Sequence, residues 1–260
     1  MQKPLSRHGR IFGAAGAAIF LALTACEKRP EATPSSEQAQ PSLEIRPDAP
    51  VKIGEPATVS RDADSFASYV HFPRGATDDS AVQFYCDVSA DGAIVATYGL
   101  IGNDPGFKAA VQSALDWGRF KPAKVDGKPV PVYLGGTVLF FHQNGQPVIV
   151  VSLATAERER VGKLSNYIQP QLIGGLGDRL QRANSSLMWN RPWKGAAETL
   201  FKITARGKAE SSSVVSEIPK DSGLGDLLRT ITQDGQWVPA YNDGKPSSGQ
   251  INVVVNFGEY

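Results

Sequence analysis

One ten-residue phrase occurs twice in this chain, and it constrains the fold more than any other feature. Residues 120–129 read FKPAKVDGKP and residues 237–246 read WVPAYNDGKP, so aromatic-x-Pro-Ala-x-x-Asp-Gly-Lys-Pro recurs at a spacing of about 117 residues. The same shift aligns what precedes the phrase. Asp104 and Asp221 both suit a helix N-cap, and Gly106 and Gly223 follow them in register. Phe107, Ala110, Val111 and Ala114 then match Leu224, Leu227, Leu228 and Ile231. Each set follows i, i+3, i+4, i+7, which lays one apolar stripe along a short amphipathic helix. The pattern predicts helices over 104–117 and 221–233.

Upstream of each helix the period changes to two. Val82, Phe84, Cys86 and Val88 alternate with polar or mixed positions up to Asp91-Gly92, a two-residue hairpin signal, and residues 93–101 read as the return strand. In the second copy Thr199, Phe201 and Ile203 alternate, Arg206-Gly207 marks the turn, and residues 209–218 return. Here the shift is about 115, so a small insertion precedes the second helix. Downstream of each Asp-Gly-Lys-Pro lies one more strand, VYLGGTVLFF over 132–141 and QINVVVNF over 250–257. The reading is an α+β chain with two tandem ββαβ units, at 65–142 and 191–260, joined by a segment over 143–190. That segment holds an apolar run at 148–153, a helix-like stretch opening at Thr155-Ala156-Glu157, and breakers at Pro170 and Gly174-Gly175. Gly175-Leu176-Gly177 lacks the third glycine of a dinucleotide loop and reads as a flexible turn.

Before the first unit stands an export signal. Lys3, Arg7 and Arg10 precede the apolar run IFGAAGAAIFLAL at 11–23, whose length of about 13 residues suits a signal-peptide core and is short for a membrane span. The run ends in Leu23-Thr24-Ala25-Cys26, which resembles the lipobox of bacterial lipoproteins. The resemblance implies cleavage after residue 25 and acylation of Cys26. Glu27 is not the aspartate that such proteins use for inner-membrane retention, which favours the outer membrane and the periplasmic side. Residues 27–50 carry five prolines and no aromatic residue, a composition that cannot bury enough apolar surface to order itself. The stretch over 26–64 is read as a lipid-anchored tether, some 25 residues of it reaching roughly 75 Å in polyproline II. With Cys26 acylated, Cys86 has no cysteine to pair with and reads as a small buried apolar residue.

The ββαβ order with its aromatic-x-Pro-Ala-x-x-Asp-Gly-Lys-Pro loop resembles the C-terminal domain of TonB-family proteins, which couple inner-membrane energy to outer-membrane receptors. The likeness covers 79–142 and, more weakly, 193–257, and Phe72-Pro73 and Arg191-Pro192 stand where that domain often opens with Tyr-Pro. This chain differs from an energy transducer in its lipobox, its short tether and its two units. The resemblance implies that the last strand of each unit can lie at a sheet edge and accept an added strand, which singles out Ile251, Val253, Val254 and Val255 as protein-binding residues.

Chemistry-bearing motifs are sparse. Beyond the export signal only His71 and His142 remain, without ligand spacing, so neither metal nor cofactor is expected. No Gly-x-Ser-x-Gly elbow occurs, and a formal net charge of +1 gives no basic field for nucleic acid. Asp87, Asp91 and Asp104 are read as strand-face, turn and cap residues, and Trp117, Phe120 and Trp237 as core. The expected function is a periplasm-facing lipoprotein adapter, not an enzyme, that binds an envelope protein by strand pairing. The competing readings are an enzyme or small-molecule carrier with a dispersed site, and a structural pseudo-dimer whose final strands pair with each other.

Overall fold

Alternation at Val82, Phe84, Cys86 and Val88 places these side chains on one face of strand β1 (Ser80–Val88), where they meet the apolar stripe of helix α2 (Pro105–Trp117). The computed structural model describes residues 53–155, 166–186 and 194–258. A one-turn helix α1 (Phe66–Tyr69) precedes β1 and seats Phe66 between Phe84 and Phe120. Strand β2 (Ile94–Ile101) returns beside β1, and after α2 the phrase at 120–129 folds into the small hairpin β3 (Ala123–Val125) and β4 (Lys128–Val130). Strand β5 (Val132–Gln143) then pairs antiparallel through Val132–Phe140 with the whole of β1, giving the order β2-β1-β5. The run at 146–152 is strand β6 (Gln146–Ser152), which turns back along β5.

Past β7 (Tyr167–Ile168), β8 (Gln171–Ile173) and helix α3 (Gly177–Ser186), the same order recurs. Strands β9 (Ala196–Ile203) and β10 (Ala209–Ile218) form a hairpin, helix α4 (Leu224–Gln233) follows, and β11 (Trp237–Val238), β12 (Ala240–Asn242) and β13 (Lys245–Ser247) carry the second phrase. Strand β14 (Gly249–Asn256) pairs with β9, so the second sheet runs β10-β9-β14. The molecule is an α+β protein. Among the described residues the final strands do not pair with each other, because β5 lies between β1 and the β6/β8 side while β14 pairs only with β9.

The two halves repeat in detail. Gly92 and Gly207 have φ of +87° and +70°, and a Cβ at either would run into the carbonyl oxygen of Phe120 or Trp237. Only the glycine of each pair is left-handed, so both turns are type I turns closed by a glycine bulge, not the two-residue turns read from Asp91-Gly92 and Arg206-Gly207. Each return strand carries two bulges, at Val95 and Tyr98 in β2 and at Glu210 and Val215 in β10. The insertion between the copies falls between those bulges, inside the strand.

The helix caps differ. Asp104 caps α2 by accepting the amides of Gly106 and Phe107 at 2.6 and 3.2 Å. Asp221 does not cap α4: it lies at φ +59° in the loop, and Glu217 at the end of β10 accepts the Gly225 amide at 2.9 Å instead. The extra residues in β10 carry Glu217 to the helix start, and that carboxylate is held below its usual pKa chiefly by this bond. Gly177 begins a helix instead of a turn, for a reason that lies in the other half of the chain and is given below. Phe120 and Trp237 are core residues, whereas Trp117, the last residue of α2, is 71% exposed.

Two extended segments hold the halves together. Residues 55–58 zip onto the first phrase through reciprocal bonds of Glu55 with Lys124 and of Thr58 with Lys121. In the second half β8 pairs with β11, Gln171 opposite Val238, and β7 with β12, Ile168 opposite Tyr241. The two segments are joined by the Gln171 side chain, which accepts the Ala57 amide at 2.7 Å and donates to the Ala57 carbonyl at 2.9 Å. Val238 is buried in the first core, and Tyr241 donates to the Gly54 carbonyl. The second core gathers Phe201, Ile203, Leu224, Leu228, Trp237, Ile251, Val253 and Val255, and also takes Tyr85 and Tyr133 from the back of the first sheet. Packing therefore crosses the boundary drawn from sequence at 143–190. Among the described residues no helix is long and apolar enough to cross a membrane.

Candidate binding groove and sheet edges

Cys26, the signal segment, most of the tether, the helix-like stretch after Thr155 and Arg191-Pro192 lie outside the described residues. The four strand residues singled out for binding lie on β14, and their side chains are buried. All four belong to the second core, with Val254 on the other face of the strand from Ile251, Val253 and Val255, against Gly99 of β2. Main-chain groups on the outer side of β14 meet tyrosines. The Val254 amide donates to the Tyr133 hydroxyl at 2.8 Å, and that hydroxyl donates to the Val254 carbonyl at 3.2 Å. The Tyr167 hydroxyl lies where it interacts with the Gln250 main chain. Both phenols have pKa values raised by burial, so they stay protonated. At these positions the β14 edge is already satisfied by side chains of the preceding segments.

Among the described residues the second sheet has two terminal strands, β10 and β14, each paired on one side only with β9. Strand β10 is terminal in its sheet, and among the described residues no strand pairs with its outer side. Antiparallel ladders alternate, so a residue that turns its amide outward leaves its neighbours bonded inward. Val254 turns outward from β9, which makes Thr199 an inward partner of β14 and leaves Leu200 to bond Ser213 of β10. Ser212 and Val214 then turn their N–H and C=O groups away from β9. The regular run Ser211–Ser212–Ser213–Val214 lies between the two bulges, and Val215 beside it is exposed. Strand β2 is the corresponding terminal strand of the first sheet.

Where β2 passes the second sheet, the two leave a groove. Its apolar end, of about 210 Å³, is bordered by Ile101 at the end of β2 and Ile218 at the end of β10, which are 45% and 63% exposed. These two isoleucines occupy matching positions in the repeat, and the geometry brings them to one cleft. Glu198, Val254 and Val255 also line it. Glu198 accepts from Asn252 Nδ2 at 2.6 Å and Ser216 Oγ at 3.4 Å, both neutral, and burial raises its pKa. No ion pair to Glu198 is found among the described residues. The groove continues past Gly99, Leu100 and Asn256 into a wider, more polar channel of about 550 Å³ that reaches Lys108 and Gln112 of α2.

A second polar centre is structural. Asp87 is buried on the back of the first sheet, a correction to its reading as an exposed strand residue. Its carboxylate accepts the amides of Leu176 at 2.9 Å and Gly177 at 2.8 Å and the Tyr98 hydroxyl at 2.7 Å. This is an N-cap supplied in trans, and it explains why Gly177 starts α3. Desolvation raises the Asp87 pKa against these three bonds. Cys86 is fully buried and its thiol is pushed up by burial, the reverse of what a thiolate nucleophile needs. Among the described residues no group of three or more His, Cys, Asp or Glu could hold a metal.

Sequence reasoning missed Glu198, Tyr133, Tyr167 and the role of Asp87. None carries a spacing signal, since each works through a partner far away in sequence. No protein-family model matches the chain, and neither a curated protein nor a solved structure matches it.

Proposed function

We propose that this chain is a lipid-anchored binding protein of the bacterial envelope, held by Cys26 to the outer membrane and facing the periplasm. It is an adapter, not an enzyme, and takes hold of another envelope protein by adding a strand of that partner to a sheet edge. Each half is read as a unit of the TonB C-terminal kind, which leaves transport coupling open to such a partner. The observation that carries the reading is β10, ten residues long and paired on one side only. Strand addition draws affinity from main-chain bonds and asks for no catalytic group. The edge assigned from sequence, at Ile251, Val253, Val254 and Val255, gives way in this reading to β10, because tyrosines occupy the outer side of β14.

The test is a photo-crosslinking residue placed at Ser213 in intact cells, with and without Ser212→Pro. Proline at an outward-facing position removes one donor without removing a bond to β9, and a circular-dichroism spectrum matching the wild type checks that the variant folds. Adducts with an envelope protein that disappear in Ser212→Pro support the reading, and adducts of equal yield in both overturn it. Cys26→Ser is expected to abolish acylation and outer-membrane fractionation. Retention there at unchanged mobility would refute the anchor.

A further inference from the structure

The cleft between Ile101 and Ile218 combines two features that point to one ligand class. Two β-branched side chains stand exposed on either side of it, and a half-buried carboxylate with only neutral partners also lines it. Desolvating a carboxylate without a cation is unfavourable, and a ligand cation that reaches it recovers part of that cost. Ser216 and Ile218 belong to β10 and border the cleft, so an extended segment added along that edge runs beside it. We propose that the cleft binds an extended peptide segment carrying a lysine or arginine beside an aliphatic residue. The cation reaches Glu198, and the aliphatic side chain seats between Ile101 and Ile218. The proposal rests on the strand-adding adapter reading and names the chemistry of the partner strand.

The probe is the acetylated and amidated peptide Thr-Val-Thr-Lys-Val-Thr-Val with a fluorophore, compared by anisotropy with the same peptide carrying norleucine for lysine. Both are titrated into the mature chain, its Glu198→Gln and Ile218→Ser variants, and Ser212→Pro. The lysine peptide is expected to bind about tenfold more tightly than the norleucine peptide. Glu198→Gln keeps an acceptor for Asn252 and should bring the two within about twofold. Ile218 is exposed, so Ile218→Ser leaves the fold intact and should weaken both peptides several-fold. Equal binding of the two peptides to the unaltered chain, no binding of either, or a lysine preference that survives Glu198→Gln overturns the site. The two readings fail separately. Loss of cellular adducts in Ser212→Pro without any lysine preference keeps the adapter and removes this site, and a Glu198-dependent preference that persists in Ser212→Pro keeps the site and removes strand addition.

Discussion

Asp87 belongs to an alternating strand and by pattern faces outward from the first core, yet what lies outward is the second half of the molecule. Its carboxylate is therefore dry, and three hydrogen bonds do not offset the burial. Because its pKa is raised, the folded chain holds that proton more tightly than the unfolded chain. The contribution to stability is full below the ordinary carboxylate pKa and is lost as pH rises through the raised value. Denaturant melts of wild type and Asp87→Asn from about pH 3 to about pH 7 are expected to show the wild type losing ground to the variant as pH rises. A stability difference independent of pH would contradict this. Tyr133 makes a related point. One hydroxyl serves both main-chain groups of Val254 and does the work of a strand partner at that position.

Among the elements, α2 and α4 carry the same stripe but start differently. Leu224 and Leu228 fix the buried face of α4, and its first turn depends on Glu217 reaching back from the preceding strand. Glu217→Ala is expected to cost about 1 kcal/mol, the usual value of a lost N-cap. Asp221→Gly should leave stability unchanged or slightly raise it, since the position is left-handed and makes no cap. Thermal melts of the two variants decide between these residues, and a larger loss from Asp221→Gly would restore the cap read from sequence. Helix stripes and strand alternation were legible here because they are properties of adjacent residues. The start of α3 was not, because its cap comes from Asp87, and Gly177 by itself favours a turn.

The whole molecule behaves as more than two beads on a string. Val238 comes from the second phrase and fills the first core, and β8 lies between β5 and β11 so that one sheet draws on both halves. Val238→Ala is expected to cost about 2 kcal/mol and to raise amide exchange in β1 as well as in β9. Faster exchange confined to β9 would instead mean that the halves fold independently. Leu228→Asp, which buries a charge in the second core, is expected on the same ground to abolish one cooperative transition for both halves.

The sequence by itself determined the repeat, the period of each strand and helix, and the glycines that close the hairpins, since those depend on a residue and its near neighbours in the chain. It also supplied the apolar set from which both cores are built, as Phe107, Val111 and Ala114 in one and Leu224 and Leu228 in the other attest. Only the tertiary structure decided what meets the outer side of each edge strand. The alternating valines of β14 read as a free pairing strand, but whether its outer main-chain groups are free depends on Tyr133 and Tyr167, about 120 and 80 residues away in the chain. The pairing of Ile101 with Ile218 beside Glu198 was likewise set by how the second sheet lies against β2. Such a site is assembled by packing between halves, which a pattern confined to either half does not encode.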